Sequence, residues 1–284
     1  MQIERWQALG NEYLIVERDR LPFPLTPAAV SLLCSTDDGY GSDGVLELGH
    51  DDEGGTDAEL VIWNSDGSQA ELSGNGARQA FLYLRASGWS ESDSLAIRTA
   101  AGVVTAELTG PDSATVAMGK ASTTSAQFPG GSSDGLGMVD VDGFTGTFQF
   151  VSIGNPQCSF ELSTLDELER LDLTAVGPAI ETDERFPGRT NVSWWVRLAD
   201  DRIRARIFER GVGETPSSGT GASGAAVASV LAGGQSPVAV LLDGGTLLVR
   251  VEEDLRIELS GTAEMVERLE IDESLLALLA ECDS

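Results

Sequence analysis

The sequence predicts an α+β protein of two pseudo-symmetric halves, each a set of short strands around a buried helix. Three observations point that way. Ser73–Ala80 reads SGNGARQA and Ser218–Ala225 reads SGTGASGA, identical at five of eight positions at an offset of 218 − 73 = 145. Leu9-Gly10-Asn11 and Ile153-Gly154-Asn155 match at nearly the same offset, and strand-like runs end at Trp63-Asn64 and Phe208-Glu209, again 145 apart. Matches in register over half a chain mark a duplicated unit of about 120–145 residues.

Taken in order, Tyr13–Glu17, Val45–Leu48 and Glu59–Trp63 have the apolar content of strands, and Asn64-Ser65-Asp66-Gly67 is a turn. Ala77, Ala80, Phe81 and Leu84 fall at helical spacing and predict a helix over 75–87, with Gly88 as its C-cap. Short strands follow at 94–99, 102–108 and 114–118, and the Ser/Gly-rich stretch 121–137 reads as a linker. In the second half, strands at 146–153, 191–198 and 202–208 lead to a helix over 220–232, then strands at 238–242, 246–251 and 255–259. That second helix is almost entirely Ala, Ser, Gly and Val, so it must be buried. Residues 272–284 read as a short amphipathic helix. The predicted domains are 1–118 with 263–284, and 119–262.

Composition narrows the function. With 18 basic against 46 acidic residues the formal charge is −28, which argues against nucleic acid and anionic membrane as partners. Lys120 is the only lysine and His50 the only histidine, so a multi-histidine zinc site is excluded and a Ser-His-Asp triad has no support. Lys120 lacks the glycine-rich lead of a P-loop. Such a charge balance is typical of proteins from salt-rich cytoplasm, where screening relieves self-repulsion. Cys34, Cys158 and Cys282 form neither a CxxC pair nor an even framework. The N-terminus has charges where a signal peptide is apolar, and no apolar run approaches the roughly 20 residues of a membrane span. These features predict a cytoplasmic protein without metal.

In both copies of the repeat a Ser-Gly pair opens a helix. Free N–H groups there, helped by the helix dipole, bind anions such as a carboxylate; equally, Ser73 and Ser218 are good plain N-caps. Gly219, Gly221 and Gly224, with Asp243 further on, match a dinucleotide fingerprint by letter. The polar segment Arg210–Pro216 and the absence of a following parallel βαβ pattern argue against it.

The segments NSDGSQAELSGNGAR, GNPQC, TNV and FERGVGETPSSGTGA resemble the signature segments of the diaminopimelate epimerase family, in order from Leu9 to about residue 225. The resemblance implies two halves, each a sheet wrapped around a central buried helix, with the active site in the cleft between them. It implies cofactor-free interconversion of LL- and meso-diaminopimelate on the route to lysine and peptidoglycan. Asn11, Asn64, Asn155, Asn191, Glu209 and Arg210 match the side chains around substrate, and Gly74-Asn75 and Gly219-Thr220 match the backbone donors to its carboxylate. The partner this implies is a small amino acid, and a homodimer is compatible with it.

The departures fall at the chemistry. Both catalytic cysteines of the family align with serines, Ser73 and Ser218; Gln157 replaces a histidine, and Gly44 stands where glutamine is frequent. A serine hydroxyl is a weaker acid than a thiol by on the order of five pK units, about 7 kcal/mol. Glu71, Glu209 and Glu214 are the nearby bases in the sequence. Three readings stay open: an isomerase using serines supported by glutamate, a catalytically silent amino-acid-binding paralogue, and deliberate replacement of both cysteines.

Overall fold

A computed structural model describes residues 1–282, and the chain divides into two compact units: Met1–Val116 with the chain from Gly261 onward, and Ala117–Ser260. In the first, β1 (Gln2–Ala8) and β2 (Asn11–Glu17) form a hairpin, and helix α1 (Pro27–Cys34) leads to β3 (Gly44–Gly49), which is parallel to β2. Thr26 caps α1 and Pro27 occupies its first turn, where a missing N–H is harmless. β4 (Ala58–Asn64) pairs antiparallel with β3, and the two-residue β5 (Gln69–Ala70) folds back on β4. Helix α2 (Gly74–Ala86) then crosses over to β6 (Ser94–Thr99), parallel to β4, followed by β7 (Gly102–Leu108) and β8 (Ser113–Lys120).

The second unit repeats this course. β9 (Leu136–Val141), β10 (Phe144–Ser152) and β11 (Pro156–Glu161) run antiparallel; α3 (Leu165–Arg170) and α4 (Leu173–Glu181) lead to β12 (Asn191–Ala199), parallel to β11. β13 (Arg202–Glu209) carries the short β14 (Gly213–Thr215), and α5 (Gly219–Leu231) crosses to β15 (Val238–Leu242), parallel to β13. β16 (Gly245–Val251) and β17 (Arg256–Thr262) follow. The strand that β9 adds beside β10 has its counterpart in β18 (Glu264–Glu270), which the far end of the chain adds beside β1. The fold is thus two domains of mixed sheet with several helices.

Equivalent sequence positions occupy equivalent places. Gly10 (φ 83°) and Gly154 (φ 89°) turn the β1–β2 and β10–β11 hairpins in the left-handed region that glycine enters freely. Asn64 ends β4 as Glu209 ends β13, and Ser73 and Ser218 are the N-caps of α2 and α5. Helix α5, buried from Gly219 to Ser229, packs against β10, β11, β12, β13, β15 and β16. Its small side chains allow strands to approach on every side. Helix α2 packs against β1, β2, β3 and β7 and is buried from Gly74 to Leu84.

The outer cover differs. In the first unit α1 packs on α6 (Glu273–Glu281), whose buried Leu279 joins the core with Leu33, Val45 and Trp63. Residues 283 and 284 of the predicted 272–284 helix lie outside the described residues. In the second unit α3 and α4 cover an aromatic core of Phe128, Phe148, Phe150, Phe160, Phe186 and Trp194.

Two sequence expectations are corrected here. The stretch 121–137 is not a free linker: it belongs to the second unit, and Phe128 stacks within 4.9 Å of Phe150 and 5.3 Å of Phe186. One aromatic residue anchors a segment whose Ser/Gly content reads as flexible. A parallel crossover also exists where none was expected, because β13 and β15 pair parallel across α5. The polar run Arg210–Pro216 that reads as a break is the inserted strand β14 and its turns.

Candidate active site

In the first unit, Ser73 leaves the chain extended and its Oγ accepts the Gly76 N–H at 3.0 Å, satisfying one of the free donors of α2. Gly76 has a steric reason: a Cβ there would lie 3.2 Å from Ser73 Oγ and 3.1 Å from Leu46. Gly74 and Asn75 are buried in the first turn, and Asn75 Oδ1 accepts from Arg78 Nη2 at 2.9 Å. Asn11 donates from Nδ2 to Asp43 at 2.8 Å, and its carbonyl accepts from Gln79 of α2 at 3.0 Å. Asn64 donates from Nδ2 to Ser68 Oγ at 2.9 Å within the turn after β4. Among the described residues no carboxylate hydrogen-bonds Ser73.

The second unit has the same frame with a different filling. Ser218 is buried, and its Oγ accepts the Gly221 N–H at 3.2 Å while donating to Glu209 Oε2 at 2.8 Å. A Cβ on Gly221 would lie 2.7 Å from Ile207, so only glycine fits under the cap. Glu209 Oε1 accepts from Thr215 Oγ1 at 2.9 Å, which fixes the carboxylate's orientation. Gly219 and Thr220 are buried in the first turn of α5, and Thr220 Oγ1 accepts from Asn155 at 3.3 Å. Gln157 donates in turn to Asn155 Oδ1 at 2.7 Å. Asn191 is buried; its Oδ1 accepts the Arg210 N–H at 2.9 Å and its Nδ2 donates to the Pro156 carbonyl. The Arg210 side chain is exposed and donates to the Gly188 carbonyl at 2.9 Å.

Of the three glutamates near the motifs, only Glu209 touches a cap serine in this way. Glu214 is committed to Arg206 at 2.6 Å and Glu71 is exposed. An ionised carboxylate accepting from a buried hydroxyl is an acceptor for that hydroxyl's proton when the oxygen acts on another. The first turns of α2 and α5 supply N–H groups suited to a carboxylate.

Other candidate chemistry lies elsewhere. Burial raises the pKa of Cys34, at the end of α1, and raises that of Cys158, in β11, further. Asp243 ion-pairs with Arg204, so the acidic residue of the nucleotide-like pattern is engaged. Gly44 has no room for a side chain, since a Cβ would sit 2.0 Å from the Trp63 carbonyl oxygen. Among the described residues no group of three or more His, Cys, Asp or Glu could hold a metal ion, and no helix is long and apolar enough to cross a membrane. A cavity of about 440 Å³ in the second unit is lined by Phe128, Leu136, Phe148, Glu184 and Arg185 among others, and none of the predicted site residues lines it.

The sequence-predicted residues therefore gather at corresponding ends of the two units. Arg78 is the addition that the sequence reading lacked. Its signal is a charge in the buried Gly74–Leu84 stretch of a helix whose other charge, Arg85, is exposed.

Known proteins are similar to this chain in sequence and in fold. The family profile described as Diaminopimelate epimerase matches residues 6–124 and 149–266. The chain is 35% identical over 274 residues to a diaminopimelate epimerase of Synechocystis sp., covering 94% of this chain and 97% of that protein. It is likewise 35% identical to one of Desulfitobacterium hafniense, over 94% of this chain and 96% of the relative. Among solved structures, a hydroxyproline epimerase from Agrobacterium vitis superposes with a TM-score of 0.69 at 15% identity, covering 95% of this chain and 90% of that one. A PhzC/PhzF protein from Clostridium difficile gives 0.70 at 12% identity, over 96% and 99%; these two show the fold alone. The chain belongs to the diaminopimelate epimerase family.

Proposed function

We propose that this protein is a cofactor-independent isomerase that interconverts LL- and meso-diaminopimelate by removing and returning the Cα proton, with serines in both acid/base positions. The observation that carries this reading is the partly buried hydrogen bond from Ser218 Oγ to Glu209 Oε2, 2.8 Å long. As Ser218 Oγ takes the Cα proton, its own proton passes to Glu209, so no alkoxide forms at Ser218 and the roughly 7 kcal/mol deficit against a thiol is reduced on that side alone. The Cα–H electron pair stays on carbon and delocalises into the carboxylate. Backbone N–H groups suited to that carboxylate are presented by Gly74 and Asn75 in the first turn of α2 and, in the other unit, by Gly219 and Thr220 in the first turn of α5. Ser73 returns a proton to Cα, and its oxygen is then stabilised by the Gly76 N–H and the α2 dipole. Asn11, Asn64, Asn155, Asn191 and the exposed Arg210 would read the polar ends of the substrate, Arg210 as a bidentate carboxylate partner.

The test is incubation with LL- and meso-diaminopimelate in D₂O, following deuterium at Cα. Exchange that Ser218→Ala abolishes is the expected result. Saturable binding without exchange replaces this reading by that of a silent amino-acid-binding paralogue, which the absence of a carboxylate beside Ser73 favours. The −28 charge supports a salt-rich cytoplasm as its setting; a higher unfolding midpoint in molar KCl than in dilute buffer is the check.

A further inference from the structure

Arg78 is placed where a cation is hard to keep. It is fully buried, on α2, and forms no ion pair among the described residues. Burial with no neighbouring anion pushes its guanidinium down to about 10. Its three recorded acceptors are neutral: the Thr262 carbonyl at 3.0 Å, Asn75 Oδ1 at 2.9 Å and the Gly74 carbonyl at 3.5 Å. Side chains on a helix lean toward its N-terminus, so the charge of Arg78 sits beside the first turn. The dipole is positive at that end, which makes a cation there unfavourable. An uncompensated buried charge is unfavourable as well. Both penalties fall when an anion occupies the α2 N-terminus. At the equivalent position of α5, Ser223 makes only a neutral bond to the Gly219 carbonyl at 2.8 Å. The charge is thus particular to the first unit and not a requirement of the helix fold.

We propose that Arg78 is a positioning residue for the substrate carboxylate: it holds Asn75 and Gly74 so that their backbone N–H groups stay aimed at the anion, and that anion balances its charge. This rests on the carboxylate-binding role given above to the first turn of α2. Arg78 acts through these groups and through its field, and is not itself a catalytic residue.

Calorimetry on Arg78→Gln and Arg78→Lys, with meso-diaminopimelate and its bis-amide, in which neutral amides replace both carboxylates, as probes, tests this. Arg78→Gln weakens the dicarboxylate by about tenfold or more, while the bis-amide changes by less than about threefold. Arg78→Lys, which keeps the charge, recovers most of the loss. A merely structural arginine would affect both probes alike; equal losses, or none, overturn the proposal. Should the variants fail to fold, ¹⁵N spectra of the unmodified protein decide. Titrated meso-diaminopimelate must move the Arg78 Nε–H signal together with those of Gly74 and Asn75, and an unmoved Arg78 signal overturns it. Binding without Cα exchange removes the isomerase reading and leaves Arg78 in place; exchange with undiminished affinity in Arg78→Gln does the reverse.

Discussion

The two units share one course of strands, the same parallel crossovers and the same Ser-Gly opening of a buried helix, yet the charged side chain near the cap serine differs in sign. Behind Ser73 stands Arg78, a buried cation without an ion pair among the described residues. Against Ser218 stands Glu209, a carboxylate that accepts the serine proton. The matching positions are Asn64 for Glu209 and Ser223 for Arg78. A duplicated backbone thus provides two similar sets of N–H donors, and two side-chain differences give each its own electrostatic surroundings. In the function proposed above, Ser218 passes its proton to Glu209, whereas Ser73 lies on the helix that holds the buried Arg78.

The sharpest way to break this comparison is to remove the acceptor. Glu209→Gln and Ser218→Ala are each expected to lower Cα deuterium incorporation by about 10²–10⁴-fold. The double variant should be no slower than the worse single one, because the pair acts as a unit. Additive losses would mean that Glu209 serves substrate binding independently of Ser218. Rates are read by NMR in D₂O.

A thiol probe sharpens the comparison further. The thiol of Ser73→Cys, at a helix N-terminus backed by Arg78, titrates below the usual 8.5, whereas that of Ser218→Cys, against Glu209, titrates higher, the two at least about one unit apart. The pH dependence of alkylation by iodoacetamide reports both. Identical titrations would remove the electrostatic contrast.

The smallest expected effect concerns packing. Gly221→Ala forces a Cβ to 2.7 Å from Ile207, a stiff β-branched side chain within β13, and should destabilise by about 1–3 kcal/mol in urea unfolding. Gly76→Ala meets its nearest neighbour, Leu46, at 3.1 Å and should be milder. Equal losses would mean that the two caps are packed alike.

Much of this fold is legible in the sequence. The 75–87 and 220–232 helices occur as Gly74–Ala86 and Gly219–Leu231. Strands with one buried face, such as Gly102–Leu108 and Val238–Leu242, alternate visibly. Pro156–Glu161 escapes because it is buried on both faces and has no alternation to read. Helix α1 escapes too, although Thr26-Pro27 is a cap signal, since eight residues carry little periodicity. In the candidate site, the cap serines and surrounding asparagines stand out as motif letters. The choice of Glu209 over Glu71 and Glu214 does not, because all three lie close to a serine in sequence.

By itself, then, the sequence determined the duplication, the helix starts and the Ser-Gly caps. Each depends on hydrogen bonds and steric limits between residues three or four apart, and those travel with the local sequence. Tertiary structure alone decided which glutamate meets Ser218, that Phe128 anchors a Ser/Gly-rich segment, and that Arg78 loses its water. Arg78 bonds to a carbonyl 184 residues away. Desolvation and partner choice depend on distant segments brought together, so no local pattern records them.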